Sequence, residues 1–222
     1  MKYIYTLSRT DVADALAQTI KEHLNADERV LWLLSGGSAL ATAVLVADQL
    51  SGTDTSKLAV SLVDERYGPL GHANENWQQL LDAGFTLPTA ELYRPLVGKD
   101  RAVTTQAFSQ WLQAHITGAD YSVGLFGIGA DGHTAGIKPG TLSTVASGWA
   151  TDYESTDYER VTMTFAAIEH LSEGMIQAIG PDKSEVIARL LHQDIARTEQ
   201  PAQVLKSLKK STLFTDYKET TI

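Results

Sequence analysis

The chain has 222 residues, 43% hydrophobic and 20% charged, with a formal net charge of −9 and no cysteine. That length suits one large domain whose core needs no disulfide or metal, and the missing cysteines exclude a disulfide framework, a thiolate nucleophile and a Cys-based zinc site. The acidic balance, with no Lys/Arg cluster beyond Lys209-Lys210, argues against a nucleic-acid partner.

In chain order, "MKYIYTL" reads as a short strand. Ser8 or Thr10 then caps a helix through "VADALAQTIKEHL", with Val12, Leu16, Ile20 and Leu24 near one face. "RVLWLL" (29–34) is a buried strand, Ser38 to Leu50 a helix, and "KLAVSLVDE" (57–65) another strand. "NENWQQLLD" (74–82) is a short helix. "VTTQAFSQWLQAHIT" (103–117) is an amphipathic helix with Ala107, Trp111, Ala114 and His115 on one side. "YSVGLFGIG" (121–129) is a strand ending in glycines. "SGWATDY" and "ERVTMTF" are strands around an acidic loop, followed by the strand "MIQAIG". "PDKSEVIARLLHQ" is a helix with Pro181 in its first turn, and "STLFTD" a last strand. This alternation predicts a single α/β domain over 1–222, a Rossmann-like, largely parallel sheet flanked by helices. Ligands of such sheets bind beyond the carboxyl ends of the strands.

Three strand ends are chemically unusual. Ser35-Gly36-Gly37-Ser38 follows a buried strand and opens a helix; it is either a tight turn or a set of backbone amides that hold an anion. "VDERYGPLGHANENW" (63–77) places Asp64, Glu65 and Arg66 at a strand end, then His72, Asn74 and Asn76. "GIGADGHTAGIKPG" (127–140) gathers glycines with Asp131, His133 and Thr134. His133 is the titratable group there suited to acid–base work near neutrality, and Asp131 is placed to orient it. Thr134 either caps a turn or bonds a substrate hydroxyl. His72, His115, His170 and His192 read as structural. Gly127, Gly129 and Gly132 match G-x-G-x-x-G literally, but no acidic strand end follows about 20 residues later and Pro139 interrupts any long helix, so the dinucleotide reading fails. The regular carboxylates of a calcium loop are absent, as is a G-x-S-x-G nucleophile elbow.

Together these stretches resemble the 6-phosphogluconolactonase family, relatives of glucosamine-6-phosphate deaminase. That family carries "SGGST", a "DER" followed by His and Asn, "GxGxDGHTASLFPG", "RVTLT" and a late helix with a Lys. The counterparts here are "SGGSA" (35–39), "DERYGPLGHANENW" (64–77), "GIGADGHTAGIKPG", "RVTMT" (160–164), "GPDKSEV" (180–186) and "PAQVL" (201–205). The resemblance implies hydrolysis of a phosphorylated sugar lactone in the pentose phosphate pathway, without cofactor or metal. His133 is then the general base, helped by Asp131. Ser35, Gly36, Gly37 and Ser38 hold phosphate together with Arg66 and Lys183. Asp64, Asn76, Thr134 and Arg160 join the substrate pocket, Arg160 alternatively pairing with Asp64 or Glu65. The amides of Gly129 to Gly132 serve as oxyanion donors.

Departures from the pattern are Ala39 for Thr, and Gly136 and Lys138 for Ser and Phe; Lys138 either contacts an anion or is solvated. The chain is also short for the family. Two rivals are the deaminase, whose loop reads "GHIAFNEP" with a carboxylate missing here, and a sugar-phosphate sensor without turnover. No stretch approaches the roughly 18 apolar residues of a membrane span, and the first residues lack a signal-peptide core. The expectation is a cytoplasmic monomer or small homo-oligomer with no membrane partner.

Overall fold

The computed structural model describes residues 1–218, so the last four residues of the expected 1–222 domain lie outside them. Strand β1 (Lys2–Tyr5) leads into helix α1 (Arg9–Asn25). The helix starts there because the Ser8 hydroxyl accepts the Thr10 amide at 3.1 Å, an N-cap that satisfies one of the orphan donors of the first turn. Val12, Leu16 and Ile20 form its buried stripe, while Leu24 is only partly covered.

Next come β2 (Val30–Leu34), α2 (Ser38–Gln49), β3 (Leu58–Leu62), β4 (Asp64–Arg66) and α3 (Asn76–Asp82). They are followed by β5 (Glu91–Leu92), α4 (Arg101–Gly118), β6 (Tyr121–Gly127), β7 (Ala150–Glu154) and β8 (Glu159–Met163). The remaining elements are α5 (Phe165–Glu169), β9 (Glu173–Ala178), α6 (Ser184–His192) and β10 (Lys210–Thr215). Pro181–Lys183 forms a short 3-10 turn ahead of α6, where proline's fixed φ suits a helix start.

Seven strands pair in the order β1-β10-β9-β6-β2-β3-β5, and every pairing is parallel. The central strand β2 is buried along its whole length, as a parallel strand covered on both faces must be. Val30, Trp32 and Leu34 join the core under α1, α2 and α3. Leu31 and Leu33 join the opposite core with Phe108 and Leu112 of α4 and Ile187 and Leu190 of α6. Each such burial contributes roughly 1.5–3 kcal/mol, so both halves of the alternation anchor the strand.

Three expectations change. The stretch 57–65 is two strands, because at Val63 the chain leaves the parallel sheet and enters a three-stranded antiparallel sheet ordered β4-β8-β7. Val63 itself bridges the two layers: its amide donates to the Leu34 carbonyl, and its carbonyl accepts the Met163 amide, each at 2.9 Å. In α4 the buried face is Thr104, Thr105, Phe108, Leu112 and Ile116, leaving Ala107 and Ala114 exposed. Trp111 and His115 instead stack on one another, centroids 4.0 Å apart, beside β5. The short elements β5 and α5 were not anticipated; α5 is capped by Thr164, whose hydroxyl accepts the Ala167 amide at 3.2 Å.

Strand order reverses between β2 and β6: β3 and β5 lie on one side of that pair, β9 and β10 on the other. Loops leaving the carboxyl ends of β2 and β6 therefore diverge, opening a crevice at the switch point. Those loops are Ser35–Ser38 and the glycine-rich stretch that holds His133.

Candidate active site

A cleft of about 320 Å³ occupies that crevice. Its floor is the turn from β2 into α2. The Ser35 amide still belongs to the sheet, donating to the Leu125 carbonyl at 3.0 Å. Gly37, at φ 62°, is the residue that precedes α2, a conformation that a side chain would strain. Gly36 meets a different constraint, since a Cβ there would lie 2.3 Å from Asn76 Oδ1. No side chain caps the start of α2 and no acid lies in its first turn. The Leu40 amide turns back to the Gly37 carbonyl at 3.1 Å, and the residues that open the helix line the cleft at the positive end of its dipole.

The second wall comes from β4 and β8. Arg66 and Arg160 are directly paired across these antiparallel strands, so two guanidiniums share one face, which repels unless negative charge lies near. Acids flank them: Arg160 donates to Asp157 at 2.9 Å and to buried Asp64 at 3.4 Å. The Tyr158 ring lies under both cations, 4.9 Å from Arg66 and 5.6 Å from Arg160, within range of a cation–π attraction. Among the described residues, six buried side-chain polar atoms lack a partner; three, Arg66 Nε, Arg160 Nε and Asn76 Oδ1, belong to cleft residues. Buried polar atoms without partners are costly, and here two donors and one acceptor belong to the residues of one cleft.

Glu65 holds this wall in place from behind. It is fully buried, and its carboxyl accepts the amides of Arg66 and Asn76 at 2.7 Å and of Trp77 at 3.0 Å. It thereby ties β4 to the first turn of α3. Asn76, set by that turn, donates to the Asp64 carbonyl at 3.1 Å. Burial pushes the Glu65 carboxyl from the ordinary 4.5 up to about 8, against the pull of the Trp77, Asn76 and Arg66 amides. The folded chain thus binds this proton more tightly than the unfolded chain. Stability owed to Glu65 is full below about pH 4.5 and falls as pH rises through the window to about 8. Glu65→Gln removes that dependence. In thermal melts from pH 5 to 8, the wild-type Tm is expected to drop relative to the variant by roughly 5 °C; parallel curves would contradict the assignment.

The third wall is the loop after β6. His133 Nδ1 lies 2.5 Å from Asp131 Oδ1, and the same carboxylate accepts the His133 amide at 3.1 Å. A carboxylate on Nδ1 fixes the proton there and leaves Nε2 as the basic nitrogen of a neutral ring. The hydrogen bond from His133 lowers the Asp131 carboxyl to about 2. Gly129 permits this fold-back, because a Cβ there would sit 2.1 Å from His133 Nδ1.

Of the residues singled out in the sequence, Ser35, Gly36, Gly37, Ser38, Asp64, Arg66, Asn76, Gly129, His133, Arg160 and Lys183 line the cleft. Asp131 touches it through His133. Two expectations are corrected. Thr134 is fully buried, and its hydroxyl donates to the Gly127 carbonyl at 2.9 Å, so it closes the loop and faces no ligand. The Gly129 amide donates to the His133 carbonyl and the Gly132 amide to the Gly129 carbonyl, each at 2.9 Å. Both donors are spent inside the loop and unavailable to an oxyanion. Gly132 is required instead by φ 87° and by Gln200 packed against it. Arg160 does pair with Asp64, as the alternative held, yet it also lines the cleft.

Sequence reasoning missed Asp157, Tyr158 and Gln177, and left Lys138 undecided; all four line the cleft. Gln177 carried a signal, being a polar residue within an apolar strand; Thr42 donates to its side chain at 2.5 Å. Burial pushes Asp157 up, but Lys138, Ser155 and Arg160 outweigh it and hold the carboxyl well below the usual range. Among the described residues, no three His, Asp or Glu side chains converge as a metal site, and no helix is long and apolar enough to cross a membrane.

The sequence profile of the family described as "Glucosamine-6-phosphate isomerases/6-phosphogluconolactonase" matches residues 7–214. The chain belongs to this family. The 6-phosphogluconolactonase of Mycobacterium leprae is 27% identical over 207 residues, covering 83% of each chain. The crystal structure of 6-phosphogluconolactonase from Thermotoga maritima superposes with a TM-score of 0.78 at 21% identity, covering 96% of this chain and 99% of that one. A monomeric glucosamine-6-phosphate deaminase superposes equally well, with a TM-score of 0.79 at 19% identity and 97% of both chains. The shared fold does not choose between these two chemistries.

Proposed function

We propose that this chain hydrolyses 6-phosphogluconolactone to 6-phosphogluconate. The observation that carries the reading is the meeting, in one crevice, of a His133–Asp131 pair with an uncapped, acid-free helix start. The first is acid–base machinery and the second an anion site. Arg66, Lys138, Arg160 and Lys183 line the cleft against Asp64 and Asp157, a local excess of cations in a chain of net charge −9. The names of the curated relatives support the same chemistry.

In this reading the phosphate seats on the amides of Gly36, Gly37 and Ser38, with Arg66 and Lys183 beside it. Arg66 presents a fork to two phosphate oxygens, and Lys183 a point charge. His133 Nε2 takes a proton from a water whose oxygen attacks the lactone carbonyl. The tetrahedral intermediate collapses by breaking the bond to the ring oxygen, which receives the proton from the imidazolium. Asp131 stabilises that imidazolium between the two transfers. The new carboxylic acid ionises and releases one proton per turnover.

Turnover of the phosphorylated lactone is to be compared with that of unphosphorylated gluconolactone. The expected preference for the phosphorylated substrate in kcat/KM is at least about 10³, built from several charge-assisted bonds. Arg66→Ala is expected to raise KM about 10- to 100-fold. Equal use of both lactones, or an unchanged KM in the variant, would remove the phosphate site. Ammonia release from glucosamine 6-phosphate, without lactone turnover, would favour the deaminase. Binding of 6-phosphogluconate with neither turnover would favour a sensor.

A further inference from the structure

Lactone hydrolysis changes the charge at only one end of the substrate. The ester carbonyl is neutral, the product carries a carboxylate there, and the phosphate is unaltered. Cations in the cleft likewise fall into two groups. Arg66 and Lys183 serve the helix-start end in the reading above. Lys138 belongs to the loop that carries His133, five residues further on.

Lys138 is not a solvated surface lysine. Its side chain is only 20% exposed and lines the cleft, and its Nζ donates to Asp157 Oδ2 at 3.0 Å. That same oxygen accepts Arg160 Nη2 at 2.9 Å. Arg160 is held in turn by Asp64 at 3.4 Å, so the lysine is fixed in the cleft by a single carboxylate that it shares with a second, separately paired cation. Lys138 and His133 line the same cleft, so the lysine shares it with the group proposed to act at the reacting end of the substrate. Lys138 stands where the motif of the family that this chain resembles has Phe.

We propose that Lys138 is a specificity-determining residue that binds the carboxylate of the ring-opened product, making the cleft a two-anion site selective for a phosphorylated aldonate. The proposal rests on the lactonase reading. Its consequence is that product is held more tightly than a ligand sharing only the phosphate end, so this chain is subject to product inhibition that a Phe at position 138 would relieve. Asp157 is the positioning residue: it steers the flexible lysine stem into the cleft.

Calorimetric titration with 6-phosphogluconate and with glucitol 6-phosphate tests this. The second ligand keeps the phosphate and the open chain but carries a hydroxymethyl group in place of the carboxylate. Wild type is expected to prefer 6-phosphogluconate by about tenfold or more, the worth of one charge-assisted contact. Lys138→Met is expected to bring the two affinities within about twofold, and Lys138→Arg to keep the preference. A wild type that does not discriminate, a Lys138→Met protein that still does, or a loss equal for both ligands would overturn the proposal. Lactone turnover by the same preparations is scored separately. A preference that Lys138→Met abolishes, in a protein without lactone turnover, would retire the lactonase reading and leave a two-anion binding site.

Discussion

His133→Asn is expected to lower kcat for 6-phosphogluconolactone by about 10²–10⁴, the usual worth of a positioned general base. KM should change far less, because the phosphate end of the cleft is built from other elements. Asparagine keeps a polar group near Asp131 Oδ1 but offers no basic nitrogen at the position of Nε2. Asp131→Asn is expected to have a smaller effect of the same kind. Asp131 is held down to about 2 by the hydrogen bond from His133, so it is ionised throughout the working range. Its replacement removes a charge that stabilises imidazolium at every practical pH. The acid limb of the wild-type rate profile therefore does not report Asp131. Steady-state kinetics on both variants, with folding checked by circular dichroism, decides the matter. A His133→Asn enzyme within threefold of wild type would sink the assignment.

Arg160→Met is expected to be the most destabilising single change in the cleft. The Arg160 side chain is 9% exposed and its partner Asp64 6%, so removing the cation leaves a buried carboxylate without its principal charge partner. Breaking such a pair costs about 3–5 kcal/mol. Burial already pushes the Asp64 carboxyl up, and Arg160 heads the charges that oppose this. Without Arg160 the carboxyl takes up a proton more readily in the folded state. The destabilisation is therefore expected to be smaller at pH 5 than at pH 8, and Asp64→Asn combined with Arg160→Met should recover about half of it. Urea unfolding at both pH values measures this. A variant as stable as wild type at pH 8, or one whose deficit does not change with pH, would show that the pair contributes little.

How much of this was legible in the sequence follows from the range of the interactions. The alternation of apolar strands and helices has a local cause, and so β2, α2, β6 and α6 fall where the pattern puts them. The all-parallel order of seven strands follows from the same alternation. What the pattern does not carry is the departure at Val63. The run Leu58 to Val63 is apolar apart from Ser61, and only pairing with β8, about a hundred residues later, reveals that Asp64 begins a different sheet. That long-range pairing also brings Arg66 opposite Arg160. Asp157 and Tyr158 were missed for a related reason, since an acidic turn between two strands reads as solvent-facing until β8 is seen to pack beside β4. The glycines were legible as special positions but not in their roles. Gly129 matters for the ring that folds over it and Gly132 for its positive φ, whereas both amides are consumed by the loop they shape.

In the proposed reaction the pair His133–Asp131 works on a lactone held by the start of α2. Its most direct measurement is proton release from freshly generated 6-phosphogluconolactone, followed in a pH-stat with the uncatalysed opening subtracted, for wild type and His133→Asn side by side. The expected result is one proton per lactone at a rate far above background in wild type, falling by at least about a hundredfold in the variant. Wild-type protein that leaves the background rate unchanged, or a variant that releases protons as fast as wild type, would contradict it.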